Sequence, residues 1–234
     1  MGAPDRMDER LRTLSLVEAQ RRAEALFAEV EARGLVAPGT GEQEADDRIR
    51  DLSHAMFGTA RHGRRRLVRS GPHTLLPYEP GLPDRTIGGD DLAVLVLGPV
   101  FDAYEVDFCR TLVLGADPVR KRLGDDLASV FAAGRDAFRA DPDITGRQLY
   151  AEVGRRAADA GWVLASRSAG RLIGGAPYEH ADGASPEAYI APENDRPLRR
   201  ADGAGWRCRW ILEVRLTDGK GRFGGLRAQL LDLT

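Results

Sequence analysis

Residues 92–115, LAVLVLGPVFDAYEVDFCRTLVLG, constrain the fold more than any other stretch. Two apolar runs rich in Val and Leu flank a turn-prone centre, so they read as two β-strands folded against each other around a bend near Asp102. A lone strand pair is marginal in water and needs further strands and a covering layer. What lies on either side therefore decides the architecture.

Upstream, the spacing of Leu16, Ala19, Ala23, Leu26, Phe27 and Val30 predicts a long amphipathic helix over Asp8–Arg33 that stops at Gly34. Thr40 and Gln43 have the spacing of a capping box, opening a second helix that buries Ile49, Leu52 and Met56 and ends at Gly58. Residues Arg64–Thr74 then turn β-like and finish in the turn-prone SGPHT. Downstream, Asp117 and Pro118 supply the N-cap and first-turn proline of a helix with Leu123, Leu127, Val130, Phe131 and Phe138 on one face. Thr145 and Gln148 cap a fourth helix that ends at Gly161. A short strand follows, then a loop rich in Gly, Pro and Asp from Gly174 to Gly205. Strands from WRCRWILEVRLTD and FGGLRAQLLDL close the chain.

Helices, strands, helices, strands in that order predict an α+β fold with helices on one face of a largely antiparallel sheet. Residues 1–8 are expected to be disordered and residues 9–234 to form a single domain. With 34 basic and 36 acidic residues the net charge is −2, so no global field draws the chain to nucleic acid or to an anionic membrane, and no apolar run is long enough to span a bilayer. The opening MGAPDRMDER lacks a signal-peptide pattern, and two cysteines, Cys109 and Cys208, suit a reducing cytoplasm. The expected partners are a small-molecule substrate and a second copy of the chain.

The stretches RRLVRSGPHTLLPYEP, GGDDLAVLVLGPVFDAYEVDFCRTLVLG, WILEVRL and GGLRAQLL together resemble the pita-bread metallopeptidases, the group of creatinase and the methionine and proline aminopeptidases. The resemblance runs from about Leu11 to the C-terminus. It implies a curved, mostly antiparallel sheet with an internal pseudo-twofold and a cleft in which Asp, Asp, His, Glu and Glu hold two divalent metals. Carried over position by position, Asp107 and Glu213 are retained. Val96 stands in place of the first Asp, Arg171 in place of the His, and Ala228, or Gln229 in a register one residue later, in place of the last Glu. Tyr78 and Arg215 occupy the places of further family histidines.

Too few ligands remain for two ions, so neither a resident metal nor another cofactor is expected. The two carboxylates would repel by about 4 kcal/mol at 4 Å with an effective dielectric near 20, and an Asp107–Arg171–Glu213 network is the expected neutralising arrangement. The catalytic candidates are Asp107, Glu213, His180 and Tyr78; the substrate-binding candidates are Arg171, Arg215 and His73. Cys109 reads as a buried thiol, and the basic run Arg61, Arg64, Arg65, Arg66 and Arg69 as a solvated strand face. Two functions are in view. One is a metal-independent enzyme acting on a small polar, carboxylate-bearing substrate by hydrolysis, elimination or cyclisation. The other is a catalytically inactive binding protein. A mononuclear metal site at Asp107, Glu213 and His180 is a third.

Overall fold

The computed structural model describes residues 6–60, 66–76, 82–98, 108–173, 185–203 and 205–232. Helices α1 (Arg6–Ala32) and α2 (Glu42–Phe57) are followed by strands β1 (Val68–Ser70), β2 (Leu92–Val96) and β3 (Cys109–Val113). Helices α3 (Pro118–Ala140) and α4 (Gly146–Asp159) come next, then the short β4 (Val163–Leu164) and β5 (Gly170–Leu172), and last the long β6 (Trp210–Thr217) and β7 (Gly224–Leu230). The strands form one sheet in the order β1-β2-β3-β7-β6-β4, with β5 also on β6, and every pairing is antiparallel. The α+β arrangement expected from element order is the one observed. Among the described residues no helix is long and apolar enough to cross a membrane.

Strand alternation sorts the sheet into two faces. On one, Leu212 packs beside Gly134 of α3, where an added Cβ would lie 2.9 Å from Val153 of α4 and 3.2 Å from Leu212. That glycine allows α3, α4 and β6 to approach closely. Buried side chains fall into two clusters, one around α1, α2 and β1 to β3, the other around α3, α4 and β6. Fully burying a Leu or Phe in either contributes about 1.5–3 kcal/mol.

The caps of α3 and α4 form from local sequence. Asp117 accepts from the amides of Val119 and Arg120 at 2.8 and 3.1 Å, and Thr145 and Gln148 complete a reciprocal box. The box expected at Thr40 and Gln43 is not formed. Gly41 is the N-cap of α2 without a side-chain bond, and the Gln43 amide donates instead to Asp84, at 2.9 Å and 41 residues away. The strand expected over Arg64–Thr74 is shorter, since Gly71, with φ of 51°, and Pro72 turn the chain into a 3-10 helix over Gly71–Leu75.

Candidate functional site

Register across the sheet aligns one row of residues on the face opposite α3. Val96 pairs with Cys109, Cys109 with Ala228, and Ala228 with Glu213. The next row out contains Arg69, Val94, Thr111, Leu226 and Arg215, with the Thr111 hydroxyl donating to the Leu226 carbonyl at 2.9 Å and accepting its amide at 2.8 Å. Arg171 pairs with Ile211, two residues before Glu213, and so emerges on this same face. Its position depends on Gly170, whose φ is 141° and whose hypothetical Cβ would collide with the Ile211 carbonyl.

Three of the sequence-derived candidates, Arg171, Glu213 and Arg215, therefore share this face. Glu213 and Arg215 approach to 3.6 Å, with side chains 28% and 23% exposed. At this separation and an effective dielectric of 20 their gross attraction is about 4–5 kcal/mol, reduced to about 1 kcal/mol or less by solvent and side-chain entropy. Asp107, His180 and Tyr78 lie outside the described residues. Ala228, rather than Gln229, is the residue opposite Glu213, while Gln229 pairs with Leu212 on the α3 side.

A different network anchors His73. Its Nδ1 lies 2.8 Å from the buried Glu42 carboxylate, which also accepts from the Ser70 amide at 2.5 Å and the Ser70 hydroxyl at 2.9 Å. Arg85 joins through Ser70 Oγ at 2.7 Å and through Asp91. One helical turn further along α2, Asp46 accepts from the Leu67 and Val68 amides at distances down to 2.7 Å. Burial pushes its carboxyl up to about 7, against the downward pull of those amides and of Arg66 and Arg50.

At its two described positions, Arg66 and Arg69, the basic run is not a solvated face. Arg66 lies between Glu42, Asp46 and Asp84 at 3.6, 3.8 and 3.1 Å. Arg69 is 1% exposed, donates to the Leu76 carbonyl at 2.9 Å, and stands on the Glu213 face four strand spacings, about 19 Å, from Arg215. Arg61, Arg64 and Arg65 lie outside the described residues. Sequence reasoning missed Arg69 and Glu42, because neither a run of arginines nor a helix-start glutamate signals burial. Cys109 is a buried thiol outside any disulfide, as expected, and Trp210 is a core residue whose Nε1 donates to Leu198.

The row does not fit a pair of divalent ions. Val96 and Ala228 offer no donor atom, Cys109 is buried, and Glu213 contributes one carboxylate beside a guanidinium. Among the described residues no three His, Cys, Asp or Glu side chains converge.

The family model for metallopeptidase family M24 matches residues 15–201. A dipeptidase PepE structure from Mycobacterium ulcerans is similar at 26% identity over 92% of this chain and 54% of that one, with a TM-score of 0.68. An X-Pro aminopeptidase from Thermotoga maritima is 19% identical over 91% of this chain and 55% of that one, with a TM-score of 0.68. A prolidase from Pyrococcus furiosus is also 19% identical, over 94% of this chain and 60% of that one, with a TM-score of 0.67. The chain thus spans between 54% and 60% of these structures' lengths, and no curated protein matches it. With four-fifths of its length matched by one family model and its sheet superposing on those structures, the chain belongs to metallopeptidase family M24 and has the pita-bread fold.

Proposed function

We propose that this chain is a peptidase-like enzyme that works without a metal on a small polar substrate bearing a carboxylate. The observation that carries this reading is the Val96–Cys109–Ala228–Glu213 row, in which one carboxylate remains and Arg171 and Arg215 share its face. A guanidinium fork recognises a carboxylate in two parallel bonds and stays charged at any working pH, so it suits the role of substrate anchor.

Hydrolysis of a carbon–nitrogen bond would run as follows. Glu213 takes a proton from water as the water oxygen bonds to the substrate carbonyl carbon. Arg215 meets the oxyanion that develops, and as the carbon–nitrogen bond breaks the proton passes from Glu213 to the leaving nitrogen. Elimination and cyclisation would use the same proton acceptor. Asp107, His180 and Tyr78 join this proposal as further acid–base groups on the strength of the family pattern, and His73, held by Glu42, as a residue bordering the cleft.

The test is mass-spectrometric screening of chelator-treated protein against dipeptides and N-acyl amino acids. Turnover should persist after chelation, Glu213→Gln should lower kcat by about a hundredfold or more, and Arg171→Ala should mainly raise KM. Turnover that appears only with added Mn or Co would refute metal independence. Binding without turnover would support the second reading, a catalytically inactive binding protein, which the surplus of guanidinium over carboxylate among the described residues of this face, Arg171 and Arg215 beside Glu213, favours.

A further inference from the structure

We propose that Arg110, Arg135 and Arg227 form an oxyanion site on the helix side of the sheet, suited to a phosphate dianion or a small phosphate monoester. It lies on the face opposite Glu213 and is independent of the function proposed above.

Strand register supplies its floor. Cys109 pairs with Ala228, so Arg110 stands across from Arg227, and Arg227 pairs in turn with Val214. All three emerge on the α3 face. From α3, Phe131 lies 5.4 Å from the Arg227 guanidinium, and Arg135 follows one helical turn later. From α1, Gln20 accepts from the Leu230 amide at 2.8 Å and donates to Glu24 at 3.2 Å. The Glu24 carboxylate is close enough to attract both Arg110 and Arg227. The three arginines are half-buried and Glu24 is exposed, so the site opens to solvent beside α1.

The three guanidiniums are not equally satisfied. Arg110 donates to the Cys109 carbonyl at 2.9 Å, to the Ala228 carbonyl at 3.2 Å and to Gln229 Oε1, and it stacks 4.0 Å from the Phe108 ring. Arg135 and Arg227 each keep a buried Nε that meets no acceptor among the described residues. Burial, and after it the charge of Arg227, pushes Arg110 down to about 9. Burial, and after it Arg135, moves Arg227 in the same direction.

Three cations against one carboxylate leave a surplus of two positive charges. A monocarboxylate would answer half of that surplus. A phosphate dianion answers all of it and presents acceptor oxygens in several directions, which suits guanidiniums arriving from two strands and a helix. The rings of Phe108 and Phe131 hold the guanidinium faces and leave the N–H edges for the ligand.

Calorimetric titration of the full chain with inorganic phosphate and with glycerol 3-phosphate, at fixed ionic strength, tests the site. One ligand should bind per chain, and phosphate should raise Tm where chloride of equal ionic strength does not. Arg135→Met and Arg227→Met, which keep an apolar stem without the charge, should each weaken binding at least tenfold and melt no lower than the parent in anion-free buffer. Glu24→Gln should tighten binding several-fold, and the exposed Lys220→Met should change nothing. Tighter binding of the ester would identify an ester as ligand, and equal binding the free ion; both support the site. Absence of binding by the parent, affinity retained in the Arg135 and Arg227 variants, or no gain in Glu24→Gln would overturn it.

Discussion

Asp46 should make the fold lose stability as the solution is made less acidic. In the folded chain burial raises its carboxyl from the ordinary 3.8 to about 7. Below about pH 4 the group is protonated in both states and costs nothing. Between about pH 4 and 7 the unfolded chain releases the proton while the folded chain keeps it, so the unfolded state binds fewer protons and unfolding free energy falls with pH. The slope is about 1.4 kcal/mol per pH unit, and the total loss above pH 7 is about 4 kcal/mol. Asp46→Asn cannot ionise. It keeps one acceptor oxygen for the Leu67 and Val68 amides but turns an NH2 toward them, a constant cost of about 1–3 kcal/mol. Urea unfolding of both proteins from pH 4.5 to 8 should show the parent more stable in acid and the difference shrinking to zero or reversing above pH 7. A constant difference between the two across that range would refute a neutral Asp46 in the native state.

Gly170→Ala should destabilise the fold by about 3 kcal/mol or more, seen as a lower urea midpoint, because φ there is 141° and a Cβ would strike the Ile211 carbonyl. An unchanged midpoint would show that β5 can move away from β6. The triple variant Val96→Asp, Arg171→His and Ala228→Glu should bind divalent metal, since Val96 and Ala228 lie in one row with Glu213. Melting with and without Mn or Co should show stabilisation of about 2.7 kcal/mol at a hundredfold excess over Kd. A folded triple variant indifferent to metal would mean that these strands do not converge as a metal cavity requires.

The features legible in the sequence were those written by neighbours in the chain. The β2–β3 pair announced itself by composition, α3 by Asp117 and Pro118, and α4 by a capping box four residues long. Within the site, matching family motifs singled out Glu213 and left the place of the last Glu between Ala228 and Gln229; the strand register puts Ala228 opposite Glu213. What escaped was set by contacts between distant segments. Arg66 and Arg69 looked like a wet strand face because burial of a guanidinium depends on acceptors such as Asp46, Asp84 and the Leu76 carbonyl, none of which periodicity reveals. Arg135 and Arg227 come together only when α3 lies on β7.

The way α2 begins bears on the order in which the chain assembles. Helix α4 carries its own start signal in Thr145 and Gln148, so it can nucleate before anything else has formed. Helix α2 cannot, because its first turn is secured by the Asp84 carboxylate, the Arg85 carbonyl and a bridge from Gly41 to Thr86. Closing that loop of about 40 residues costs about 3 kcal/mol of chain entropy, which only the docked segment repays. Pulse-labelling of amide protons during refolding should therefore find α4 protected early and the first turn of α2 protected together with residues 84–87, and Asp84→Ala should delay the second event while leaving the first untouched.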